Sequence, residues 1–196
     1  YNMGIDNIIT FDAHDPRVQN AIPTCGFESL MPTYQFIKSL LKSVPDLELD
    51  NDHLMIISPD EGAMHRAIYF ANQFGVDVGM FYKRRDYSRV VNGKNPIVAH
   101  EFLGDSVEGK DVIIIDDMIS SGESMIDVAS ELKKRGANRV FCATTFGLFT
   151  NGFKKFDEAY ENGLIDRVLT TNLIYQTPGL LSRPYYVSVD LSKYLA

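Results

Sequence analysis

Short runs of apolar residues alternate along the chain with segments in which apolar residues recur at helical spacing. The apolar runs have the length of buried strands, and the most apolar of them consist largely of Ile and Val. This alternation is typical of crossover βαβ units, and it predicts an α/β fold with a mainly parallel, twisted sheet and helices on both faces. The predicted strands are 7–12, 54–58, 76–82, 111–116, 139–146 and 165–171, and the predicted helices are 32–44, 63–74, 122–135 and 151–161.

Two of the predicted helices carry end signals. Pro32 suits the first turn of its helix, because a residue there needs no backbone N–H donor. Gly136 follows the third helix and can adopt the left-handed conformation that ends many helices. The segment 83–96, KRRDYSRVVNGKNP, is polar and basic and has no strong helix signal, so we predict a mobile loop or a hairpin there.

Length and charge narrow the class of protein. The chain has 196 residues, 45% of them hydrophobic, which suits one globular domain over 1–196. A formal net charge of -7 argues against a general nucleic-acid surface, which needs clustered Lys and Arg. No apolar run approaches the ~20 residues that span a bilayer, and we expect a cytoplasmic protein that binds no membrane. Cys25 and Cys142 lack metal-ligand spacing, and we expect both to be reduced.

Polar residues follow three of the predicted strands at their carboxyl ends, where open parallel sheets bind ligands. They lie in the segments 12–14, 59–62 and 117–124. Right-handed crossovers bring the carboxyl ends of successive parallel strands to the same edge of a sheet. We therefore expect these three loops to face one crevice.

The third segment, DVIIIDDMISSGES at 111–124, carries the most specific signal in the chain. The turn Ser120, Ser121 and Gly122 joins a strand to a helix, so its N–H groups and hydroxyls can surround a phosphate. Helix capping alone would also explain Ser and Gly there, but it does not explain the adjacent Asp116 and Asp117. Two neighbouring carboxylates repel one another unless donors or a cation lie between them. A ribose 5'-phosphate, with a divalent ion nearby, satisfies both halves of the motif.

The same stretch, VIIIDDMISSGES, resembles the phosphoribosyl pyrophosphate (PRPP) binding signature of type I phosphoribosyltransferases and PRPP synthetases. Three further stretches, FDAHD, SPDEGAMHRA and YKRRD, resemble in order and spacing the catalytic segments of ribose-phosphate diphosphokinases. Those segments are typically DLHA, SPDxGGxxRA and DKRR. The resemblance implies a type I phosphoribosyltransferase-like fold. It also implies a chain that lacks an N-terminal part, about one half, of the parent enzyme.

The resemblance implies a reaction and roles for individual residues. The reaction is Mg²⁺-dependent transfer of diphosphate from ATP to the C1 hydroxyl of ribose 5-phosphate, which gives PRPP and AMP for nucleotide biosynthesis. Family members are typically homo-oligomers built from dimers into hexamers. The catalytic residues would be Lys83, Arg85 and His14, the metal-binding residues His14 and Asp60, and the ribose 5-phosphate-binding residues Asp116, Asp117, Ser120, Ser121, Gly122, Glu123 and Ser124.

The sequence departs from the family pattern inside the phosphate motif. Ser120 replaces a common Asp, Glu123 a Gly and Ser124 a Thr. The hydroxyl of Ser124 preserves the function of Thr, but a carboxylate at 123 would repel phosphate, so we expect Glu123 to point outward. For Arg66 two interpretations stay open, a helix-surface charge and a functional group. We expect His53, His65 and His100 to have no role in the site.

Two other functions compete with the synthetase. A nucleobase phosphoribosyltransferase that consumes PRPP would explain the phosphate motif equally well, but not FDAHD together with YKRRD. A non-catalytic regulatory homologue would keep the fold and bind nucleotides. For the 196 residues alone we expect weak or absent turnover, because the adenine-binding part lies outside them.

Overall fold

The computed structural model describes residues 2–85 and 97–194, with the backbone alone at 83–85 and 97–100. Nine strands and five α-helices lie in these ranges, and a 3₁₀ helix spans Pro16–Ala21. The strands are β1 Asn7–Phe11, β2 Gly26–Leu30, β3 Leu54–Ser58, β4 Val78–Arg85, β5 Ile97–Leu103, β6 Asp111–Ile119, β7 Val140–Gly147, β8 Arg167–Thr171 and β9 Tyr186–Val189. The helices are α1 Thr33–Ser43, α2 Met64–Phe74, α3 Glu123–Lys134, α4 Lys154–Glu161 and α5 Pro178–Leu181.

Seven strands form one sheet in the order β5-β4-β3-β6-β7-β8-β9. Neighbours pair in parallel throughout, except for β4 and β5, which are antiparallel. The prediction of a mainly parallel sheet is confirmed. Residues 86–96, most of the predicted loop or hairpin, lie outside the described residues, but the pairing of β4 with β5 agrees with the hairpin.

Helices cover both faces of this sheet, as predicted. The central strand β6 is apolar on both sides: Val112 and Ile114 join a core with α3 and α4, whereas Ile113 and Ile115 join a core with α1 and α2. A strand buried on both faces reads as a continuous apolar run, because successive side chains point to opposite faces. The run VIII in the sequence therefore marks the middle of the sheet. None of the helices in the described part of the chain is long and apolar enough to cross a membrane.

The first strand is a correction to the predicted sheet. β1 does not join the seven strands, but pairs in parallel with β2 in a separate two-stranded sheet. Ile9 in β1 is 64% exposed, so this apolar run is not a fully buried strand. The sequence did not indicate β2 and β9 as strands, because GFESL mixes polar and apolar residues and YVSV is short.

Several element ends differ from the prediction. β6 continues to Ile119 rather than ending at 116, since its last residues still pair with β7. β4 continues through the basic residues to Arg85 because it pairs with β5. α4 begins at Lys154 rather than at 151, and α3 is followed by Gly136 with φ 86°, the left-handed stop expected there.

Candidate active site

A cavity of about 150 Å³ lies at the carboxyl edge of the seven-stranded sheet, between the loops that follow β3 and β6. The strand-to-helix crossovers bring these loops together, as expected for a parallel sheet. Ten residues line the cavity, and most of them were singled out from the sequence. They are Pro59, Asp60, Asp116, Met118, Ile119, Ser120, Ser121, Gly122, Ser124 and Met125.

The turn at 120–122 lines the cavity and leads into α3. Gly122 caps α3 with φ 80°, and the N–H of Glu123, the first residue of the helix, donates to Ser121 Oγ at 3.5 Å. Only a glycine fits this position, because a Cβ would overlap the buried ring of Phe156 and the φ is left-handed. The glycine therefore lets the chain turn tightly beside α4 and leaves the hydroxyls of Ser120 and Ser121 at the cavity. Ser121 thus makes a long hydrogen bond to the start of α3 and also lines the cavity, and helix capping alone still does not explain the adjacent Asp116 and Asp117.

Glu123 does not line this cavity. Its carboxylate accepts a hydrogen bond from Lys155 of α4. Both side chains are about half exposed. The negative charge therefore lies toward α4, in agreement with the outward orientation expected from the sequence.

Asp116 and Asp117 lie inside β6, and their side chains have different surroundings. The Asp116 side chain is 29% exposed and lines the cavity, whereas that of Asp117 is 4% exposed. The backbone N–H of Asp117 donates to Asp116 Oδ1 at 2.9 Å. Burial, the hydrogen bond with Asp117 and the negative charges of Asp117 and Asp60 together raise the pKa of Asp116 to about 7. The cavity thus has an excess of negative charge.

His14 makes a direct contact with the second of these acids. Its Nδ1 lies 2.7 Å from Asp117 Oδ2. The hydrogen bond to Asp117 raises the pKa of His14. Burial opposes ionisation of Asp117, but the hydrogen bonds with His14 and Asp116 hold its pKa below the usual value. His14 thus contacts β6 although β1 lies in the other sheet, but none of the residues 12–14 lines the cavity between the loops after β3 and β6.

A buried ion pair, which the sequence left undecided, lies behind these residues. Arg66 of α2 is 2% exposed, and its Nε donates to Asp12 Oδ1 at 2.7 Å. Thr145 of β7 donates from Oγ1 to the other oxygen of Asp12, also at 2.7 Å. The interpretation of Arg66 as a helix-surface charge is wrong. A signal was present, because Arg66 lies at helical spacing from Phe70 and Phe74, on the apolar face of the helix.

Asp60 begins the loop that leads into α2. Its Oδ1 accepts hydrogen bonds from the N–H groups of Gly62 at 3.0 Å and Ala63 at 3.3 Å. Ser58 donates to the carbonyl oxygen of Asp60 at 2.7 Å and so fixes the loop against the end of β3. These bonds hold the carboxylate at the cavity. The structure brings Asp60 close enough to Asp116 to raise the pKa of that acid.

The remaining predicted residues are Lys83 and Arg85. They belong to the last paired residues of β4 and β5, where Lys83 lies opposite His100 and Arg85 opposite Ile97. Their side chains lie outside the described residues, so their catalytic role stays a prediction. His100 itself lies in a strand, as expected.

A second polar cluster lies at the opposite, amino edge of the same sheet. Arg139 binds Asp111 through Nε and Nη2, with the shortest distance at 2.7 Å, and Asp46 through Nη1 at 3.0 and 3.1 Å. Asn138 also donates to Asp111, at 2.9 Å. Nearby, Glu48, Asp50 and His53 form the only set of three closely spaced potential metal ligands within the described ranges, and all three are exposed. This edge gathers no residue of the predicted site.

With the cavity and its acids described, comparison with known proteins identifies the class. Residues 28–182 match the family profile described as a phosphoribosyl transferase domain, and the chain belongs to this family. Curated relatives of the chain are named ribose-phosphate pyrophosphokinases, which is a synonym for the ribose-phosphate diphosphokinases that the sequence resembles. Those of Vibrio parahaemolyticus and Shewanella oneidensis are 31% and 32% identical to the chain over its whole length.

The chain spans 57% of the length of these relatives. A solved structure of phosphoribosylpyrophosphate synthetase from Mycobacterium smegmatis matches 99% of the chain with a TM-score of 0.79 and 20% sequence identity, and the match covers 57% of that structure. This likeness confirms the predicted fold. The resemblance drawn from the three catalytic segments is also confirmed at the level of the family.

Proposed function

We propose that the chain is the part of a ribose-phosphate diphosphokinase that binds ribose 5-phosphate. The complete enzyme would transfer diphosphate from ATP to the C1 hydroxyl of that sugar and release PRPP and AMP. The observation that carries this proposal is the cavity between the loops after β3 and β6, whose lining combines acids with serine hydroxyls and the start of a helix.

The two kinds of polar residue that line the cavity, serines and acids, suit the phosphate and the hydroxyls of a sugar phosphate. Ser120, Ser121 and Ser124 offer hydroxyl donors, and the N–H groups at the start of α3 add the favourable end of the helix dipole. Asp116 offers carboxylate acceptors to the sugar hydroxyls. Asp117, held by His14, supports Asp116 from the side rather than lining the cavity itself. A phosphate with vicinal hydroxyls thus fits the arrangement.

The donor set also fits a divalent cation. The charges of Asp60 and Asp117 both act on Asp116, and together with burial they raise its pKa, so a cation beside these acids would be stabilised. Mg²⁺ prefers one or two carboxylates together with substrate phosphates and water, so few protein ligands suffice. We infer that Asp60 and His14 hold Mg²⁺ together with ATP oxygens. When bound, the ion would neutralise negative charge on the transferring phosphoryl group.

The protein has little covalent chemistry to perform in phosphoryl transfer, so positioning and charge supply the rate. Asp116 orients the ribose, and the serine loop fixes its phosphate. Lys83 and Arg85 are proposed to stabilise the transferring group from the segment that follows β4. A homo-oligomer built from dimers would complete the enzyme.

Two assays test this function. Isothermal titration of the 196-residue chain with ribose 5-phosphate and Mg²⁺ is expected to show binding, and Asp117→Ala is expected to abolish it by removing the partner of His14 and Asp116. A matched Asp111→Ala variant, at the other edge of the sheet, should bind normally wherever it remains folded. Unchanged affinity in folded Asp117→Ala would contradict the assignment of this site.

The second assay separates synthesis of PRPP from its use. The full-length protein is expected to form AMP from ATP and ribose 5-phosphate with Mg²⁺. Pyrophosphate release from PRPP and a nucleobase would instead establish a phosphoribosyltransferase. Failure of both reactions, with nucleotide binding retained, would establish the regulatory homologue.

A further inference from the structure

Arg66 is the buried group whose surroundings are least explained by folding alone. The guanidinium lies almost entirely out of water, in a helix whose other buried residues are apolar. Burying a charge is costly unless it is paired and fully hydrogen-bonded. Its Nη2 is buried and has no hydrogen-bond partner in the part of the chain that the structure describes. A group with only a packing role would be replaced at lower cost by an apolar residue.

The guanidinium lies between acids that come from the two different sheets. Nε contacts Asp12, which follows β1 in the two-stranded sheet, and Nη1 lies 3.8 Å from Asp116 Oδ1 in the seven-stranded sheet. Thr145 adds a second bond from the large sheet to Asp12. Arg66 therefore joins the loop that carries His14 to the strand that carries the acidic pair.

The backbone at Asp12 gives this link a consequence for the site. Asp12 has φ 43°, a left-handed conformation that is strained for a residue with a side chain. Both carboxylate oxygens are held, one by Arg66 and one by Thr145. The N–H groups of Asp12 and Ala13 are bonded to Leu30 and to the Ser29 hydroxyl, both at 2.9 Å. This turn directs the chain so that His14 reaches Asp117.

We propose that Arg66 is a positioning residue for the sugar site, an inference that rests on the proposed function. It fixes the strained turn at Asp12 relative to the carboxylate of Asp116. This keeps the His14–Asp117 pair and Asp116 in the positions from which they would bind the ligand. Arg66 acts through these neighbours and need not touch the sugar. The Nη2 atom, which has no partner among the described residues, belongs to the same guanidinium whose Nη1 faces Asp116, a residue that lines the cavity.

A double variant separates this role from simple stability. Arg66→Met alone leaves Asp12 buried without its cation, and Asp12→Asn alone leaves Arg66 with only its longer contact to Asp116, so either variant is expected to lower the stability of the chain. Arg66→Met with Asp12→Asn removes both charges, and the amide oxygen can still accept from Thr145. The matched control is Arg139→Met with Asp111→Asn, an arginine–aspartate pair at the opposite edge of the sheet.

The readouts are thermal unfolding, calorimetric affinity for ribose 5-phosphate with Mg²⁺, and amide hydrogen exchange. The double variant at 66 and 12 should remain folded, yet bind ribose 5-phosphate at least about tenfold more weakly than the wild type, because small displacements of a site are costly. The control pair should keep its affinity within about twofold. Exchange of the amides of residues 12, 13 and 117 should become at least about tenfold faster in the first variant and stay unchanged in the control.

Each outcome decides between the two proposals. A folded double variant with wild-type affinity and wild-type exchange would overturn the role of Arg66. Absence of binding by the wild type would overturn the sugar site, while the exchange data would still decide whether Arg66 holds the turn. If the double variant does not fold, Arg66→Lys replaces it: the charge remains but the fork that reaches both acids is lost. Wild-type exchange and affinity in that variant would contradict the proposal.

Discussion

At each edge of the seven-stranded sheet acids surround an arginine, but the two arginines differ in how completely their N–H groups are hydrogen-bonded. At the amino edge, Arg139 makes paired hydrogen bonds to Asp111 and Asp46, and Asn138 adds another to Asp111. At the carboxyl edge, Arg66 faces Asp12 and Asp116, and its Nη2 amino group has no hydrogen-bond partner among the described residues. The same residue types thus form a satisfied structural cluster at one edge and an unbalanced one at the other.

The difference shows in the proton affinities of the acids. The hydrogen bonds of Arg139 hold the pKa of Asp46 below its ordinary value. Burial and neighbouring acids raise the pKa of Asp116 to about 7. The carboxylate of Asp46 is stabilised by a cationic partner, whereas that of Asp116 is destabilised by burial and by neighbouring acids. A raised pKa in a cavity is typical of a functional site, so the comparison favours the carboxyl edge as the location of the proposed site.

The largest effect expected from this comparison is on stability at the amino edge. Arg139→Met leaves Asp111 buried with only Asn138 and a backbone N–H as donors, and should lower the free energy of unfolding by about 3 kcal/mol. Urea denaturation at pH 7 measures this loss. Affinity for ribose 5-phosphate should be unchanged. A loss of affinity in the folded variant would show that the two edges are coupled and would break the comparison.

At the carboxyl edge, removing an acid is expected to raise the free energy of unfolding, by less than the loss expected at the amino edge. The pKa of Asp116 rises from 3.8 to about 7 on folding, so the folded chain holds this proton more tightly than the unfolded chain. Stability from this group is therefore greatest below about pH 4 and falls as the pH rises toward 7. Asp116→Asn removes the ionisation and should stabilise the ligand-free chain at pH 8 by on the order of 2 kcal/mol, with little change at pH 4.

Thermal unfolding of both proteins across pH 4 to pH 8 in about unit steps tests this sign. The same variant should bind ribose 5-phosphate more weakly, because a residue of a binding site can lower stability in the free protein while it contributes to binding. The matched control at the amino edge is Asp46→Asn, which removes a carboxylate with a lowered pKa. Its effect should be almost fully present at pH 4 and nearly constant up to pH 8, whereas the Asp116 effect grows across the same range. Parallel profiles for the two variants would refute the contrast.

The smallest effect is expected from Glu123. Glu123→Gln removes an ion pair with Lys155 in which both side chains are about half exposed, so stability should change by less than about 0.5 kcal/mol. Affinity for ribose 5-phosphate should stay within about twofold of the wild type, because the carboxylate lies toward α4. A calorimetric gain of tenfold or about 1.4 kcal/mol would instead mean that Glu123 faces the phosphate.

Apolar runs and helical spacing sufficed to predict the middle of the molecule. The run VIII in β6 marked a strand covered on both faces, and the motif after it identified the loop at the cavity. The placement of β1 could not be predicted in this way, because an apolar run does not specify its pairing partner. β9 is short and mixes polar with apolar residues, so its pairing with β8 supplies what its sequence does not indicate.

The site was predicted best where a local motif carries it and least well where distant segments meet. Asp60, Asp116 and the serine loop line one cavity, as their positions after parallel strands indicated. The pairing of Arg66 with Asp12 joins residues 54 positions apart, and no local pattern identifies such partners. The separate surroundings of Asp116 and Asp117 followed from the alternation of side chains along β6, which continues past both acids.

That continuation of β6 has a consequence for the thermodynamics of binding. Asp116 pairs with Thr144 and Met118 with Phe146, so the backbone on either side of Asp117 is held by the ladder with β7. Acids on a loop would lose conformational entropy when a ligand orders them, whereas acids within a paired strand have already lost it during folding. The sugar would therefore bind to preorganised carboxylates, and its affinity would be limited by desolvation rather than by ordering of the chain.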